Sequence, residues 1–158
     1  MDGRFRIRPG EPADIAAITE AERACFSDPW SESSIRDLFQ NETSLVLVAE
    51  LQNAADRFAG YLSARAMGGE AEIMSLAVLP QFRRQGLGSG LVDWGLSALV
   101  ERGARSVYLE VRESNEAARQ LYGRRGFAPI GLRPDYYRKP REHALVLALR
   151  LLSPAQNR

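Results

Sequence analysis

The sequence predicts a single mixed α/β domain, and three observations lead to that prediction. Short apolar segments of strand character alternate along the chain with longer stretches whose apolar residues recur every three or four positions. The 158 residues suit one compact domain, 1–158, and no linker, internal repeat or low-complexity segment divides them. Apolar residues make up 45% of the chain and charged residues 26%, which is the balance of a globular protein.

The first half of the chain predicts two helices followed by antiparallel strands. After a short strand at 5–8, Pro12 suits the opening of a helix that runs to about Phe26. The residues on its apolar face are Ile15, Ile18, Ala21 and Cys25. Ser31 is the predicted N-cap of the second helix. The strands that follow lie at 45–49, 58–66 and 71–78, with a Gly68-Gly69 turn between the last two.

The second half predicts two more helices that alternate with strands. A glycine-rich loop over 83–90 leads into a long amphipathic helix that closes near Gly103. The apolar stripe predicted for this helix consists of Leu87, Leu91, Trp94 and Ala98. The remaining predicted elements are a strand at 106–111, a helix at 115–125 and strands at 127–132 and 144–151.

Composition excludes several classes of function. Lys and Arg number 21 against 20 Asp and Glu, so a net charge of +1 argues against a dedicated nucleic-acid binder. One cysteine, Cys25, excludes an internal disulfide, and one histidine, His143, argues against a histidine metal cluster or a Ser-His-Asp triad. No apolar run is long enough to cross a bilayer, and the arginine-rich start lacks a signal peptide's apolar stretch. We therefore expect a soluble cytoplasmic protein whose chemistry relies on carboxylates, tyrosines, backbone amides or a borrowed cofactor.

The strand–turn–helix around the glycine-rich loop is the segment that points to chemistry. Free N–H groups and the dipole at a helix N-terminus attract anions, and the glycines at 86, 88 and 90 let a phosphate approach the backbone. Arg83 and Arg84 add positive charge there. The alternative is a plain turn with a glycine cap and solvated arginines, and the pattern alone leaves both open. The loop matches neither an ATP-hydrolysing phosphate loop nor the fingerprint of a nicotinamide dinucleotide site.

Several motifs around this loop form a set. They are Arg83-x-x-Gly86-x-Gly88, Pro29-Trp30-Ser31-Glu32, Leu76-Ala77-Val78, Leu109-Glu110-Val111-Arg112, Ser114-Asn115, Leu121-Tyr122, Gly126-Phe127 and Tyr136-Tyr137. The loop resembles the acyl-CoA loop of the GNAT superfamily of N-acetyltransferases. The whole set, in this order, resembles the bacterial ribosomal-protein-alanine N-acetyltransferases within that superfamily. The resemblance extends from the first helix to the last strand.

The resemblance implies the GNAT fold, a mixed central sheet flanked by helices, in which the strand ending at Val78 splays from the strand at 106–111. Acetyl-CoA, as co-substrate, would bind in the cleft between them, with its pantetheine arm paired to the backbone like an added strand. The residues that the resemblance assigns to CoA are Leu76, Ala77, Val78, Arg84, Gln85, Gly86, Leu87, Gly88, Ser89 and Asn115. The expected partners are acetyl-CoA and the N-terminal peptide of a protein substrate, with no metal, nucleic acid or membrane.

Acetyl transfer needs a base for the attacking amine and an acid for the departing thiolate. The resemblance assigns the base to Glu110 and the acid to Tyr122. Strand alternation turns Glu110 away from its apolar neighbours, toward either a cleft or solvent. Without the resemblance, a core aromatic is the commoner interpretation of Tyr122. Glu72, on the neighbouring strand, is the competing base. Cys25 is not needed as an acyl carrier, because the superfamily transfers acetyl directly in a ternary complex.

One stretch departs from the subfamily pattern. Residues 133–144 look slightly shorter than the corresponding loop, and His143 stands where the subfamily often has an aspartate. This loop is near the protein-substrate entrance in the family, so the pattern supports the reaction better than the substrate. His143 is interpreted as a strand-end residue. Tyr136 and Tyr137 either guide a peptide or cover the sheet.

Three functions stay open at this point. The favoured one is a protein N-terminal acetyltransferase acting on a small-subunit ribosomal protein that begins with alanine. The second is an acetyltransferase of the same fold that acts on a small amine or a lysine side chain. The third is a non-catalytic acyl-CoA-binding module, which the presence of both Glu110 and Tyr122 argues against.

Overall fold

The computed structural model describes residues 3–54 and 57–151. These residues form seven strands, which are β1 (Phe5–Pro9), β2 (Ser44–Leu51), β3 (Phe58–Met67), β4 (Glu70–Val78), β5 (Ser106–Arg112), β6 (Ala128–Arg138) and β7 (Arg141–Arg150). All seven join one sheet in the order β1-β2-β3-β4-β5-β7-β6. Neighbouring strands are antiparallel except β4 and β5, which are parallel. The predicted mixed sheet is confirmed.

Helices cover both faces of this sheet. They are α1 (Ile15–Cys25), α2 (Glu32–Gln40), α3 (Leu87–Glu101) and α4 (Glu116–Gly123), with short 3-10 turns at Pro12–Asp14 and Pro80–Phe82. On one face, Ile18 of α1 and Ile35 of α2 belong to a buried cluster with Tyr61 of β3. On the other face, Leu91 of α3 belongs to a larger cluster that also contains Val107 of β5. Two apolar layers therefore fix the sheet between the helix pairs.

Local signals account for the helix boundaries. The hydroxyl of Ser31 accepts the backbone N–H of Ser34 at 3.1 Å, which confirms the predicted N-cap of α2. The predicted stripe of α3 is wrong at Trp94, whose surface is 49% exposed. Gly95 faces the sheet instead, and a Cβ added there would lie 3.3 Å from the methyl groups of Leu62. The missing side chain lets α3 pack closely on β3.

The parallel pairing of β4 with β5 is short. It extends only from Glu70 with Ser106 to Glu72 with Tyr108, within the described part of the chain. An irregularity in the β3–β4 register leaves Met74 as an extra residue on β4 at the point where the strands part. Beyond it β4 stays paired with β3, whereas β5 pairs with β7 along its length. The predicted splay of the sheet is therefore confirmed.

The segment 133–144, expected as a loop, belongs to a hairpin. Strand β6 continues to Arg138 and β7 begins at Arg141. Pro134 and the charged residues around it conceal the strand in the sequence, since proline is depleted from sheets except at edges and bulges. Strand β6 is an edge strand, which explains why proline is tolerated there. In the described ranges, no helix is long and apolar enough to cross a membrane.

Candidate active site

The divergence of β4 from β5 opens a cleft of about 480 Å³. Residues 73–76 of β4 and 109–112 of β5 line it on the sheet side. Helix α4 and the connection between α1 and α2, through residues 25–28 and Trp30, also line it, as do Glu22 of α1 and Tyr137 of β6. The predicted site residues that meet at this cleft are Leu76, Glu110, Asn115 and Tyr122.

Glu110 of β5 lines the cleft, and 19% of its side chain is exposed. Its Oε1 atom lies 2.7 Å from Nε of Arg133, which reaches across β7 from β6. The hydroxyl of Tyr136 also donates a hydrogen bond to Glu110, and this contact raises the pKa of Tyr136 to about 12. Two side chains of β6 therefore hold the carboxylate at the cleft.

Tyr122 of α4 packs in the core and also lines the cleft. Its surface is 5% exposed, and its ring meets Phe127 edge-on, with 5.4 Å between centroids. The same residue lines the cleft. Burial raises the pKa of the Tyr122 hydroxyl, so the group stays protonated at neutral pH.

The glycine-rich loop leads into α3 as predicted. Gly86 is the N-cap residue with φ 81°, and Arg84 has φ 62°. Gly86 has no side chain to cap this end of α3, so in the described part of the chain the first N–H groups of the helix remain available to an external anion. A Cβ added at Gly88 would lie 3.1 Å from a methyl group of Leu121, so glycine also allows α3 to approach α4.

The β4 residues that the resemblance assigns to CoA divide between cleft and core. Leu76 lines the cleft, whereas Ala77 is buried in the cluster beneath α1 and α2. The carbonyl of Val78 accepts a hydrogen bond from Nε of Arg83 at 3.0 Å and another from the thiol of Cys25 at 3.5 Å. Arg83 therefore turns back toward β4 instead of adding its charge to the loop.

Other assigned residues contact different parts of the fold. Oε1 of Gln85 accepts a hydrogen bond from Arg4 at 2.6 Å, and Leu87 is a core residue. Oδ1 of Asn115 caps α4 by accepting the backbone N–H of Ala118 at 3.1 Å. The cap residue of α4 thereby becomes part of the cleft wall.

Glu72, the competing base, lies where β4 and β5 are still paired. It is opposite Tyr108 and lines a neighbouring cavity of about 440 Å³, not the 480 Å³ cleft. Glu110 lines both spaces. Of the two candidate carboxylates, Glu110 is therefore the one that shares a cavity with Tyr122.

The sequence analysis missed a buried carboxylate at the cleft. Glu22 of α1 is 1% exposed, and its Oε1 accepts hydrogen bonds from the hydroxyls of Tyr61 and Ser75, the latter at 2.6 Å. Its Oε2 accepts the backbone N–H of Trp30 at 3.3 Å. The available signal was its position four residues after Ile18 on the apolar face of α1, where a carboxylate needs hydrogen-bond partners.

Arg112, at the end of β5, is the second residue that was missed. It donates to the carbonyls of Pro140 and Lys139 at 3.0 and 3.2 Å, and to the hydroxyl of Ser27 at 3.1 Å. Its guanidinium group also lies over the ring of Tyr137, 4.3 Å from the centroid. Arg112 thus joins the β6–β7 hairpin to the connection between α1 and α2.

Cys25 and metal binding complete the description of the site. Cys25 is partly buried and packs against the cluster beneath α1 and α2, as its helical position predicts, and it also lines the cleft. Within residues 3–54 and 57–151, no group of three His, Cys, Asp or Glu side chains could hold a metal ion.

Comparison with known proteins agrees with this geometry. Residues 15–127 match the model of the Acetyltransferase (GNAT) family. The ribosomal protein bS18-alanine N-acetyltransferase of Salmonella typhimurium is 35% identical over 138 residues, which cover 86% of this chain and 90% of the relative. The crystal structure of the ribosomal-protein-S18-alanine N-acetyltransferase from Escherichia coli matches with a TM-score of 0.84 and 32% identity, over 93% of this chain and 94% of that one. Ard1 from Thermoplasma volcanium matches with a TM-score of 0.85 and 29% identity, over 94% and 99%. The chain therefore belongs to the acetyltransferase (GNAT) family.

Proposed function

We propose that this protein transfers the acetyl group of acetyl-CoA to a protein N-terminal α-amine, specifically the N-terminal alanine of a small-subunit ribosomal protein. The observation that carries the proposal is the cleft between β4 and β5, in which Glu110 and Tyr122 line one cavity. The relatives that are ribosomal protein bS18-alanine N-acetyltransferases support this acceptor. A ribosomal substrate implies that the protein acts in the cytoplasm.

Acetyl-CoA fits the chemistry of the residues beside the cleft. The first N–H groups of α3, together with the absent side chains of Gly86 and Gly88, suit a pyrophosphate. Beyond Glu72, β4 pairs with β3 and, in the described residues, with no strand on its other edge. That edge suits a pantetheine arm bound as an added strand. The proposed CoA contacts are those of residues 76–78 and 84–89 and of Asn115.

In the proposed reaction, Glu110 takes the proton of the attacking α-amine and Tyr122 gives its proton to the departing sulfur. A bond forms between the amine nitrogen and the acetyl carbon. The carbon–sulfur bond breaks, and its electron pair leaves on the sulfur that Tyr122 protonates. Because the transfer is direct, Cys25 carries no acetyl group.

The acceptor is matched to a single carboxylate base. A peptide α-amine has a pKa of about 7.7–8.0, against about 10.4 for a lysine amine. Deprotonating a lysine at neutral pH therefore costs about 3.4 kcal/mol more. Glu110, acting directly or through a water molecule, is a sufficient base for the α-amine.

The test is intact-mass analysis after incubation with acetyl-CoA and an alanine-starting peptide. An N-terminally blocked copy with an internal lysine, and a set of small amines, serve as competing acceptors. We expect a single acetyl group on the free N-terminus. Faster acetylation of the blocked peptide or of a small amine would contradict the proposed acceptor.

The base is tested in the same assay with Glu110→Gln and, as the matched control, Glu72→Gln. We expect Glu110→Gln to lower kcat by about 10²–10⁴-fold near neutral pH and by less at high pH, where the amine is already deprotonated. Glu72→Gln should retain wild-type kcat. The reverse pattern would move the base to Glu72.

A further inference from the structure

We infer that His143 is a positioning residue for acetyl transfer, because its ring pins a bulge of β6 that sets Arg133 and Tyr136 against the Glu110 carboxylate. The inference rests on the proposed function, in which Glu110 is the base.

The bulge lies in the middle of the β6–β7 hairpin. Between the pairs Arg133 with Ala144 and Tyr137 with Glu142, the three residues 134–136 of β6 stand opposite His143 alone. Asp135, at the centre, has φ 51°, in the left-handed region that non-glycine residues seldom adopt. A bulge of this kind disturbs the alternation of side chains along a strand.

The changed alternation matters for the two consecutive tyrosines. In a regular strand, Tyr136 and Tyr137 would point to opposite faces of the sheet. Here both line the 440 Å³ cavity next to the cleft, and their rings meet edge-on with 5.1 Å between centroids. The bulge therefore turns Tyr136 to the same side as Tyr137, where its hydroxyl reaches Glu110.

His143 supplies the contact that holds the bulge. Its Nδ1 accepts the backbone N–H of Asp135 at 3.0 Å. The Asp135 amide lies in the stretch of β6 that is not paired with β7, so the hydrogen bond to His143 satisfies a donor that the strand pairing leaves unsatisfied. It also offsets part of the cost of the left-handed conformation of Asp135.

The bulge is coupled to the base through Arg133 and Tyr136. Arg133, the last paired residue before the bulge, places Nε 2.7 Å from Oε1 of Glu110. The hydroxyl of Tyr136, within the bulge, interacts with the same carboxylate, and this interaction raises the pKa of Tyr136 to about 12. Ala144, opposite Arg133 on β7, is small and leaves the arginine room to cross that strand. If the bulge relaxed, Glu110 would lose both contacts that orient it.

Two substitutions separate the acceptor atom from the shape of the side chain. In His143→Asn, Oδ1 can take the place of Nδ1 and accept the amide, whereas His143→Leu puts a methyl group there. We expect His143→Leu to lower kcat by about 10- to 100-fold, with the KM for acetyl-CoA unchanged. His143→Asn should retain wild-type kcat.

Two results would overturn the inference. They are wild-type kcat in His143→Leu and no rescue of kcat by His143→Asn. In a Glu110→Gln background, His143→Leu should cause no further loss of kcat, and a full additional loss would show that His143 does not act through Glu110.

Hydrogen exchange distinguishes this failure from failure of the proposed function. Exchange of the Asp135 amide should accelerate in His143→Leu and stay slow in His143→Asn, whatever the enzyme acetylates. If the Asp135 amide exchanges faster in His143→Leu alone while the wild type acetylates no peptide, the proposed acceptor is wrong, but His143 does hold the bulge. If exchange is unchanged in His143→Leu, the bulge is held by other contacts and the inference is wrong.

Discussion

The hydroxyl of Tyr122 can be removed without disturbing the ring that carries it. The ring packs against Phe127 in the core, so Tyr122→Phe should keep the fold and acetyl-CoA binding. Loss of the proton donor should lower kcat by about 10²–10⁴-fold. The matched control is Tyr108→Phe on β5, which does not line the 480 Å³ cleft and should keep wild-type kcat. Wild-type turnover in Tyr122→Phe would make Tyr122 a core residue only.

Single residues differ in how far the sequence could predict them. Alternation along β5 predicts the face on which Glu110 lies, but its partner Arg133 comes from a strand two places away in the sheet. Glu22 was missed because its partners Tyr61 and Ser75 lie 39 and 53 residues further along the chain. Contacts of this kind are set by tertiary packing, which local sequence patterns do not encode.

At the scale of elements, a substitution in the first turn of α3 can add a negative charge at the proposed phosphate site without an electrostatic loss of stability. Gly88→Asp adds a negative charge in the first turn of α3, which should weaken acetyl-CoA binding by at least about tenfold, or about 1.4 kcal/mol. The same charge interacts favourably with the helix dipole, by about 0.3–1 kcal/mol, so the Tm without ligand should not fall through electrostatics.

The control for this substitution is Gly123→Asp, at the end of α4, where an added Cβ would meet no atom within 4 Å. Binding is measured by calorimetry and by the rise in Tm that a ligand of the native state produces. Gly88→Ala separates shape from charge, because its Cβ would meet only a methyl group of Leu121. Unchanged acetyl-CoA affinity in Gly88→Asp would remove the phosphate assignment of the loop.

The contact between the β6–β7 hairpin and the α1–α2 connection depends on Arg112. Asp28 and Trp30 of the connection and Tyr136 and Tyr137 of the hairpin line the 440 Å³ cavity that we propose as the peptide entrance. Arg112→Met removes the charged hydrogen bonds that join the two segments, each worth about 1.5–3 kcal/mol.

We expect Arg112→Met to raise the KM for the alanine-starting peptide by about tenfold or more, with the Kd of acetyl-CoA nearly unchanged. Arg36→Met, which removes an exposed i,i+4 ion pair with Glu32 on α2, is the control and should change neither. The measurement is steady-state kinetics with each substrate varied. An equal change in both constants would show that Arg112 supports the whole cleft and not the entrance.

The elements themselves followed from local patterns except where long-range packing overrode them. Strands β2–β5 and helices α1–α3 begin and end within a few residues of the predicted positions, because apolar periodicity and turn residues mark them. The hairpin around His143 was expected as a loop, since Pro134 and a run of charges are atypical of a strand. Its pairing is fixed by β7, which the sequence of β6 does not reveal.

At the scale of the whole molecule, the splay of the sheet was predictable only through the resemblance to a family. The parallel pairing of β4 with β5 involves residues more than 30 positions apart, and its short length depends on the irregularity at Met74. No local signal marks that residue. The cleft, and with it the meeting of Glu110 and Tyr122, is thus a property of the assembled sheet.

The whole molecule also determines how the tyrosines titrate. Burial raises the pKa of Tyr61, Tyr122 and Tyr137, and the hydrogen bond to Glu110 raises that of Tyr136 to about 12. In the unfolded chain each tyrosine has a pKa of about 10. Above that pH the folded protein keeps protons that the unfolded chain releases, so stability is fully present below about pH 10 and falls as the pH rises further.

The expected decline is steep, because each such tyrosine contributes up to about 1.4 kcal/mol per pH unit, and Tyr61 and Tyr122 together about 2.7. The ionisation of the tyrosines can be followed in this chain because it has one lysine, Lys139. Few other groups therefore change charge between about pH 9 and 11. Urea unfolding at a series of alkaline pH values measures the slope, and tyrosinate absorbance follows the ionisation. Tyr122→Phe should flatten the decline above about pH 10 by up to about 1.4 kcal/mol per pH unit. Equal slopes in wild type and Tyr122→Phe would mean that the Tyr122 hydroxyl ionises as easily in the folded cleft as in the unfolded chain, which would also remove the reason it stays a proton donor there.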